Sequence, residues 1–480
     1  MAAPHPARPV PADGELLREE HLHERFVHRD LRIPFRHRAN LPCKRAGALC
    51  EAPPVHWQLV ALSVVLLVFA AISQRIEGTW ITAPMFFMAA GLVVGVEALD
   101  LVDPASTGLE VKTLAEATLT VVLFSDASRI DLRALRSSLG IPARLLGIGL
   151  PLTIIAGFVA AIALLGDLAW PEALVLAIIL APTDAALGQV VVTSRRLPVR
   201  VRQSLNVESG LNDGICVPLF LIALAVALAE EGAIGNGHAA QLLAEKIGYG
   251  VLGGVVAGAA AAAIVVYAGG RRFVDETWLQ VVPLAGALLA FALGEAIGGS
   301  GFISAFVGGA IFGGLRRHRG GDVSQLTEQA GVVLAAVTFV VFGAVLLGPA
   351  LHDLTWQIAL YAVLSLTLVR MLPVALAMLG TGARRPTVAF LAWFGPRGAA
   401  SIVFALLVLE EGGLRNEELI LTTAFVTVGL SVLAHGATAA PLAARYGNWL
   451  ESRSPGDLSE LESGSEAEIR WRLQRDTGAS

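Results

Sequence analysis

The chain has 480 residues, a mean hydropathy of +0.66, 55% apolar residues and only 16% charged ones, where a soluble domain carries about a quarter. That balance excludes an ordinary soluble enzyme, and a formal net charge of −5 gives no sign of a nucleic-acid partner. Fifty glycines suit a membrane bundle, in which small residues let helices approach closely.

Residues 1–55 are rich in Arg, His and Pro and contain no apolar run long enough to span a bilayer, nor the apolar core of a signal peptide. They read as a disordered tail. Residues 56–445 read as one membrane domain, and 446–480 as a short, Glu- and Ser-rich, unpacked cytoplasmic tail. Cys43, Cys50 and Cys216 form neither a CxxC motif nor a metal spacing, although Cys43 and Cys50 are close enough in sequence to bridge.

Within the membrane domain, apolar runs of bilayer-spanning length are predicted at 57–73, 80–98, 111–125, 142–166, 171–194, 201–229, 241–268, 276–295, 300–315, 327–349, 355–380, 386–410 and 418–440. The expectation is therefore an all-α membrane protein of about 13 transmembrane helices, with the third and ninth runs short for full spans. Alternate loops hold sixteen arginines, among them Arg129, Arg144, Arg200, Arg202, Arg316 and Arg384; the opposite loops hold only Lys112, Lys246 and Arg415. The bias places the arginine-bearing loops and the C-terminus in the cytoplasm. Nine basic residues in the N-terminal tail, which thirteen spans put outside, run against it.

Charged groups at membrane depth are costly and mark cavities or partners. The sixth span carries VESGLNDG, with Glu208, Ser209, Asn212 and Asp213. Residues four apart share a helix face, so these oxygen-bearing side chains are expected in one sector. Hard cations take several oxygens, and a buried carboxylate takes either a cation or a proton. The fifth span carries APTDAALG, where Pro182 removes a helical hydrogen bond beside Thr183 and Asp184. The twelfth carries FGPRGAAS, another mid-span interruption, with Gly395, Pro396, Arg397 and Gly398. Broken helices offer carbonyls and dipole ends where they line a cavity. Two interrupted spans seven apart predict inverted repeats, with the two breaks crossing at the midplane.

PTD in one broken helix, ESGLND in the next and GPRG late in the chain resemble the sodium/proton antiporters of the bacterial NhaP and animal NHE branch, over roughly residues 57–440. The resemblance implies the NhaA/NhaP-like antiporter fold, a homodimer in the cell (inner) membrane, and alternating access without a cofactor. Monovalent cations and protons would be the substrates. It matches Asp213 to the ion- and proton-carrying aspartate. Thr183, Asp184, Glu208 and Ser209 match the cation ligands, which together with Asp213 form the sodium site. Asn212 matches the asparagine of the electroneutral branch, and Arg397 the core arginine. Exchange of one cation for one proton follows from that pattern. A potassium or lithium preference fits the same oxygens.

Arg397 is expected to pair with Glu208 and so leave Asp213 free, because a buried guanidinium must find acceptors. Asp126 and Arg370 are expected to form a buried structural pair. Glu295 is expected to snorkel to the outer face, Ser300 and Ser304 to serve helix packing, and Gly250, Gly253, Gly254 and Gly258 to permit close helix contact. His435 is the one histidine of the last span, with a pH-sensing role as its functional alternative. An ion channel would need a continuous polar path rather than one midplane knot. An intramembrane aspartyl protease has its paired aspartates in Asp184 and Asp213 but lacks the GxGD string.

Overall fold

The computed structural model describes residues 55–463 except 77–78, 96–98, 100–107, 130–139, 185–186, 195, 232–235, 270, 272, 317–322 and 455–458. The N-terminal tail, with Cys43 and Cys50, and the acidic tail beyond 463 lie outside them. The secondary structure of the described residues is all helical, with no strand among them.

In chain order the helices are α1 (Val55–Ile76), α2 (Ala83–Val94), α3 (Gly108–Arg129), α4 (Gly140–Leu164), α5a (Trp170–Ile179) with α5b (Gln189–Thr193), and α6 (Val199–Glu230). There follow α7 (Asn236–Ala263), α8 (Glu276–Ala296), α9 (Gly301–Arg316), α10 (Gln325–His352), α11 (Trp356–Ala377), α12a (Arg385–Trp393) with α12b (Ala399–Glu411), α13 (Glu417–Glu451) and the short α14 (Glu460–Ser463). Every apolar run of the sequence falls on one of these. Among the described residues, eight helices are long and apolar enough to cross a membrane, and α2, α5a and α9 are shorter apolar helices. Large apolar side chains such as Leu67, Leu368 and Leu379 are exposed around the periphery, as a lipid-facing surface requires.

Glycines set how closely the helices meet. A methyl group on Gly254 or Gly258 of α7 would collide with the Ser304 or Gly308 carbonyl of α9, and one on Gly309 or Gly313 of α9 with the Phe124 or Ser128 carbonyl of α3. The packing role expected of the α7 glycines thus holds, and α3, α7 and α9 form a tight backbone-to-backbone group. Ser304 Oγ donates to Ala290 O across to α8, as expected of a packing serine. Glu295, exposed near the end of α8, caps the next helix by accepting Gly301 N–H at 2.7 Å.

The last helix departs from expectation. Rather than ending near residue 440, α13 runs to Glu451, because Ala439, Ala443, Tyr446 and Leu450 continue one apolar stripe that buries against neighbouring helix ends. The segment after it is also packed: Leu461 and Glu462 are buried. Glu462 accepts hydrogen bonds from Arg384 N–H (3.0 Å), Ser459 N–H (3.0 Å) and Thr387 Oγ1, so it caps the start of α12a. Sequence composition hid this, because a lone Glu in an acidic run looks like any other.

Candidate functional site

Two helix interruptions meet at the centre of the bundle. α5a ends at Ile179, and Ala181–Asp184 run non-helical through Pro182; α12a ends at Trp393, and 394–398 run non-helical before α12b starts at Ala399. Each break frees carbonyls at the end of one half-helix and N–H groups at the start of the next. The segments satisfy one another. Asp184 N–H donates to Pro396 O at 2.8 Å, and Ala399 N–H donates to Asp184 Oδ2 at 2.9 Å. The Asp184 carboxylate therefore sits at the positive N-terminal end of α12b. Gly398 is required here, since a methyl group on it would collide with that carboxylate oxygen.

Arg397 spans the same crossing. Its Nη1 donates to Pro182 O at 3.1 Å and to Ala181 O, carbonyls that the break in the fifth span leaves without helical donors. This corrects the expected Arg397–Glu208 pair. Glu208 is instead paired with Arg370, Nη1 to Oε1 at 2.6 Å, both almost wholly buried. α11 is interrupted at Thr367, and its second part, Leu368–Ala377, carries Arg370 against Glu208 and Gly395. The expected Asp126–Arg370 pair is corrected by the same observation.

α6 brings the remaining groups. Ser209 Oγ donates to Thr183 O at 2.6 Å and Asn212 Nδ2 to Thr183 Oγ1 at 2.7 Å, so both hold the first break. Asp213 is 7% exposed, and its Oδ1, like Asn212 Oδ1, has no hydrogen-bond partner among the described residues. The four polar residues of VESGLNDG are thus divided. Ser209 and Asn212 face Thr183, while Glu208 faces α11 and is engaged as a counterion.

Asp126 of α3 faces the site from the other side. It packs against Gly210 of α6, and it, Asp184 and Asp213 lie within electrostatic reach of one another. Sequence reasoning treated Asp126 as structural; the glycine of ESGLND, which lets a carboxylate approach α6, was the available signal. No cluster of three or more His, Cys, Asp or Glu with metal-binding geometry occurs among the described residues. The oxygens are a hard-cation set of mixed side chain and backbone.

Residues 62–445 match the family described as "Sodium/hydrogen exchanger, transmembrane". The chain belongs to that family of membrane cation/proton antiporters. It is 26% identical over 412 residues to the K(+)/H(+) antiporter NhaP of Alkalimonas amylolytica, covering 83% of this chain and 68% of the relative. It is 29% identical over 396 residues to the K(+)/H(+) antiporter NhaP2 of Shewanella oneidensis, covering 80% and 66%. The chain thus spans about two thirds of the length of these relatives. Its fold is that of the sodium proton antiporter MjNhaP1 of Methanocaldococcus jannaschii, with a TM-score of 0.69 at 19% identity over 84% of this chain and 99% of that one.

Proposed function

We propose that this chain exchanges a monovalent cation for a proton, one for one, by alternating access at Asp213. The observation that carries the reading is a buried carboxylate oxygen without a hydrogen-bond partner among the described residues, on the helix that braces the first of two crossing breaks. A carboxylate in such surroundings is stabilised by a bound cation or by a proton, and one excludes the other. That mutual exclusion is the exchange. Asp184, Ser209 and the Thr183 carbonyl supply further oxygens, and Asp126 adds a third acid on the α3 side. Glu208, also expected as a ligand, is engaged as the counterion of Arg370, and we assign it a supporting role.

Asn212 is neutral and engaged with Thr183; with Asp213 as the single carrier, the cycle is electroneutral. The loop arginines support a cytoplasmic C-terminus in a cell (inner) membrane, and the family supports a homodimer. Sodium is the first reading of the cation. Potassium is the second, favoured because both sequence relatives are named as potassium/proton antiporters.

The test is dye-reported proton flux in proteoliposomes under sodium, potassium or lithium gradients. The parent protein is expected to move protons when a cation gradient is applied. Asp213→Asn, which keeps the shape and removes the exchangeable charge, is expected to insert normally and exchange nothing. Cation-dependent proton flux in that variant, or none in the parent, overturns the reading.

A further inference from the structure

The second break has a support that the transport chemistry does not account for. Two residues of α13, Ser431 and His435, lie one helical turn apart, are almost wholly buried and reach both ends of the unwound stretch. On the α12b side, Arg397 N–H donates to Ser431 Oγ at 2.7 Å. On the α12a side, His435 Nε2 lies 3.0 Å from Trp393 O. The two are joined, with Ser431 Oγ 3.2 Å from His435 Nδ1, which also lies 3.1 Å from Ser431 O.

The donors and acceptors order themselves. Trp393 O and Ser431 O can each only accept, and a neutral ring has one proton to give; on Nδ1 it would leave Nε2 facing Trp393 O with no donor between them, so we assign it to Nε2. In the neutral ring Nδ1 is then an acceptor, and the hydroxyl of Ser431 is free to donate to it because the Arg397 amide uses only an oxygen lone pair. The result is a relay from Arg397 N–H through Ser431 Oγ–H and the imidazole to Trp393 O. It ties the last carbonyl of α12a to an amide near the far end of the non-helical stretch, two residues before α12b begins. The same helix grips Trp393 a second time, through Trp393 Nε1 donating to Thr438 Oγ1 at 2.9 Å and a tilted ring contact with His435.

From Arg397 the connection runs onward to the ion site. Its backbone is fixed by Ser431, and its guanidinium holds Ala181 O and Pro182 O, directly before Thr183 and Asp184. We infer that Ser431 and His435 are positioning residues for cation binding: they set the length and register of the 394–398 stretch, and through Arg397 the placement of the Thr183 and Asp184 oxygens. Neither touches the cation. The inference deepens the antiport reading and rests on it for its transport measurement.

Two readouts test it, using the full-length protein. In proteoliposomes with sodium or potassium, Ser431→Ala and His435→Ala are each expected to raise the half-saturating cation concentration about tenfold, the scale of one buried hydrogen bond. His435→Gln, which returns an N–H near the Nε2 position, is expected to stay within about threefold of the parent. The double Ala variant should be no worse than the poorer single, since both residues act through one relay. A lower maximal rate at unchanged half-saturation, or Gln no better than Ala, overturns the inference.

The second readout needs no transport and so separates this idea from the antiport reading. Amide hydrogen exchange of Phe394, Gly395, Arg397 and Gly398 in detergent is expected to quicken in Ser431→Ala and His435→Ala and to recover in His435→Gln. Unchanged exchange there overturns the inference even if transport falls. Where the Ala variants fail to insert, His435→Gln is compared with His435→Asn, whose shorter amide cannot reach Trp393 O; equal protection in the two overturns it as well.

Discussion

Glu208 and Arg370 answer each other across α6 and α11 with almost no exposure, so each is the reason the other is tolerated. Truncating one strands a buried charge, a loss of about 3–5 kcal/mol, whereas removing both exchanges an ion pair for apolar volume at much smaller cost. Glu208→Ala and Arg370→Ala are each expected to lower the unfolding temperature sharply in detergent, and the double variant to recover most of that loss. Thermal melts of the four proteins decide it, and simple additivity would remove the pair from the account. Sequence could not choose between Arg370 and Arg397. Both are lone guanidiniums in apolar spans, and either meets the criterion of a buried cation near Glu208. What selects the partner is which acceptors lie closest. The break at Pro182 exposes carbonyls that claim Arg397, a fact of backbone path rather than of residue type. Ser431 was less visible still, since a single serine in an apolar helix ordinarily bonds to its own preceding turn.

At the scale of elements, the breaks themselves were legible because Pro182, Gly395 and Pro396 are incompatible with an uninterrupted helix. What composition does not convey is how tightly the two half-helix ends interlock. Gly398 shows it: a methyl group there would occupy the position of Asp184 Oδ2. Gly398→Ala must therefore push the carboxylate off the start of α12b or displace that helix. It is expected to abolish or nearly abolish exchange while the protein still inserts, and flux measured beside a surface-expression control checks this. Parent-like flux would mean that the contact of Asp184 with Ala399 is dispensable. The cap on α12a gives a second element-level test. Burial alone would raise the Glu462 carboxyl, but the hydrogen bonds from Thr387, Ser459 and Arg384 outweigh it and hold it below the ordinary value. A depressed folded value means the contact stabilises above the unfolded value of about 4.3 and fades as pH falls through the folded one. Glu462→Gln should thus loosen α14 at neutral pH, seen as faster proteolysis after Glu451, with the difference from the parent shrinking in strongly acidic buffer. Equal cleavage rates at neutral pH would dismiss the cap.

At the scale of the whole molecule, the question is how much charge crosses per cycle. Three acids, Asp126, Asp184 and Asp213, lie within reach of one another, so a count of carboxylates alone would allow two protons to travel with one cation. The partners of the groups around Asp213 argue otherwise. Arg370 is matched by Glu208, Asp184 accepts the Ala399 amide at a helix N-terminus, and Asn212 is neutral and spent on Thr183. Asp213 is left with an oxygen that has no hydrogen-bond partner among the described residues. If the cation binds when Asp213 is ionised and leaves when it is protonated, the moving part of the protein carries the same charge in both directions. An imposed membrane potential should then neither drive nor stall exchange, because displacing one elementary charge through 100 mV, worth about 2.3 kcal/mol, would otherwise bias the cycle strongly. Proteoliposomes clamped with ionophore at zero and at large negative potential are expected to give the same rate for equal cation gradients. A rate that follows the potential would mean that Asp126 or Asp184 carries a second proton, and Asp126→Asn or Asp184→Asn should then return the cycle to voltage independence.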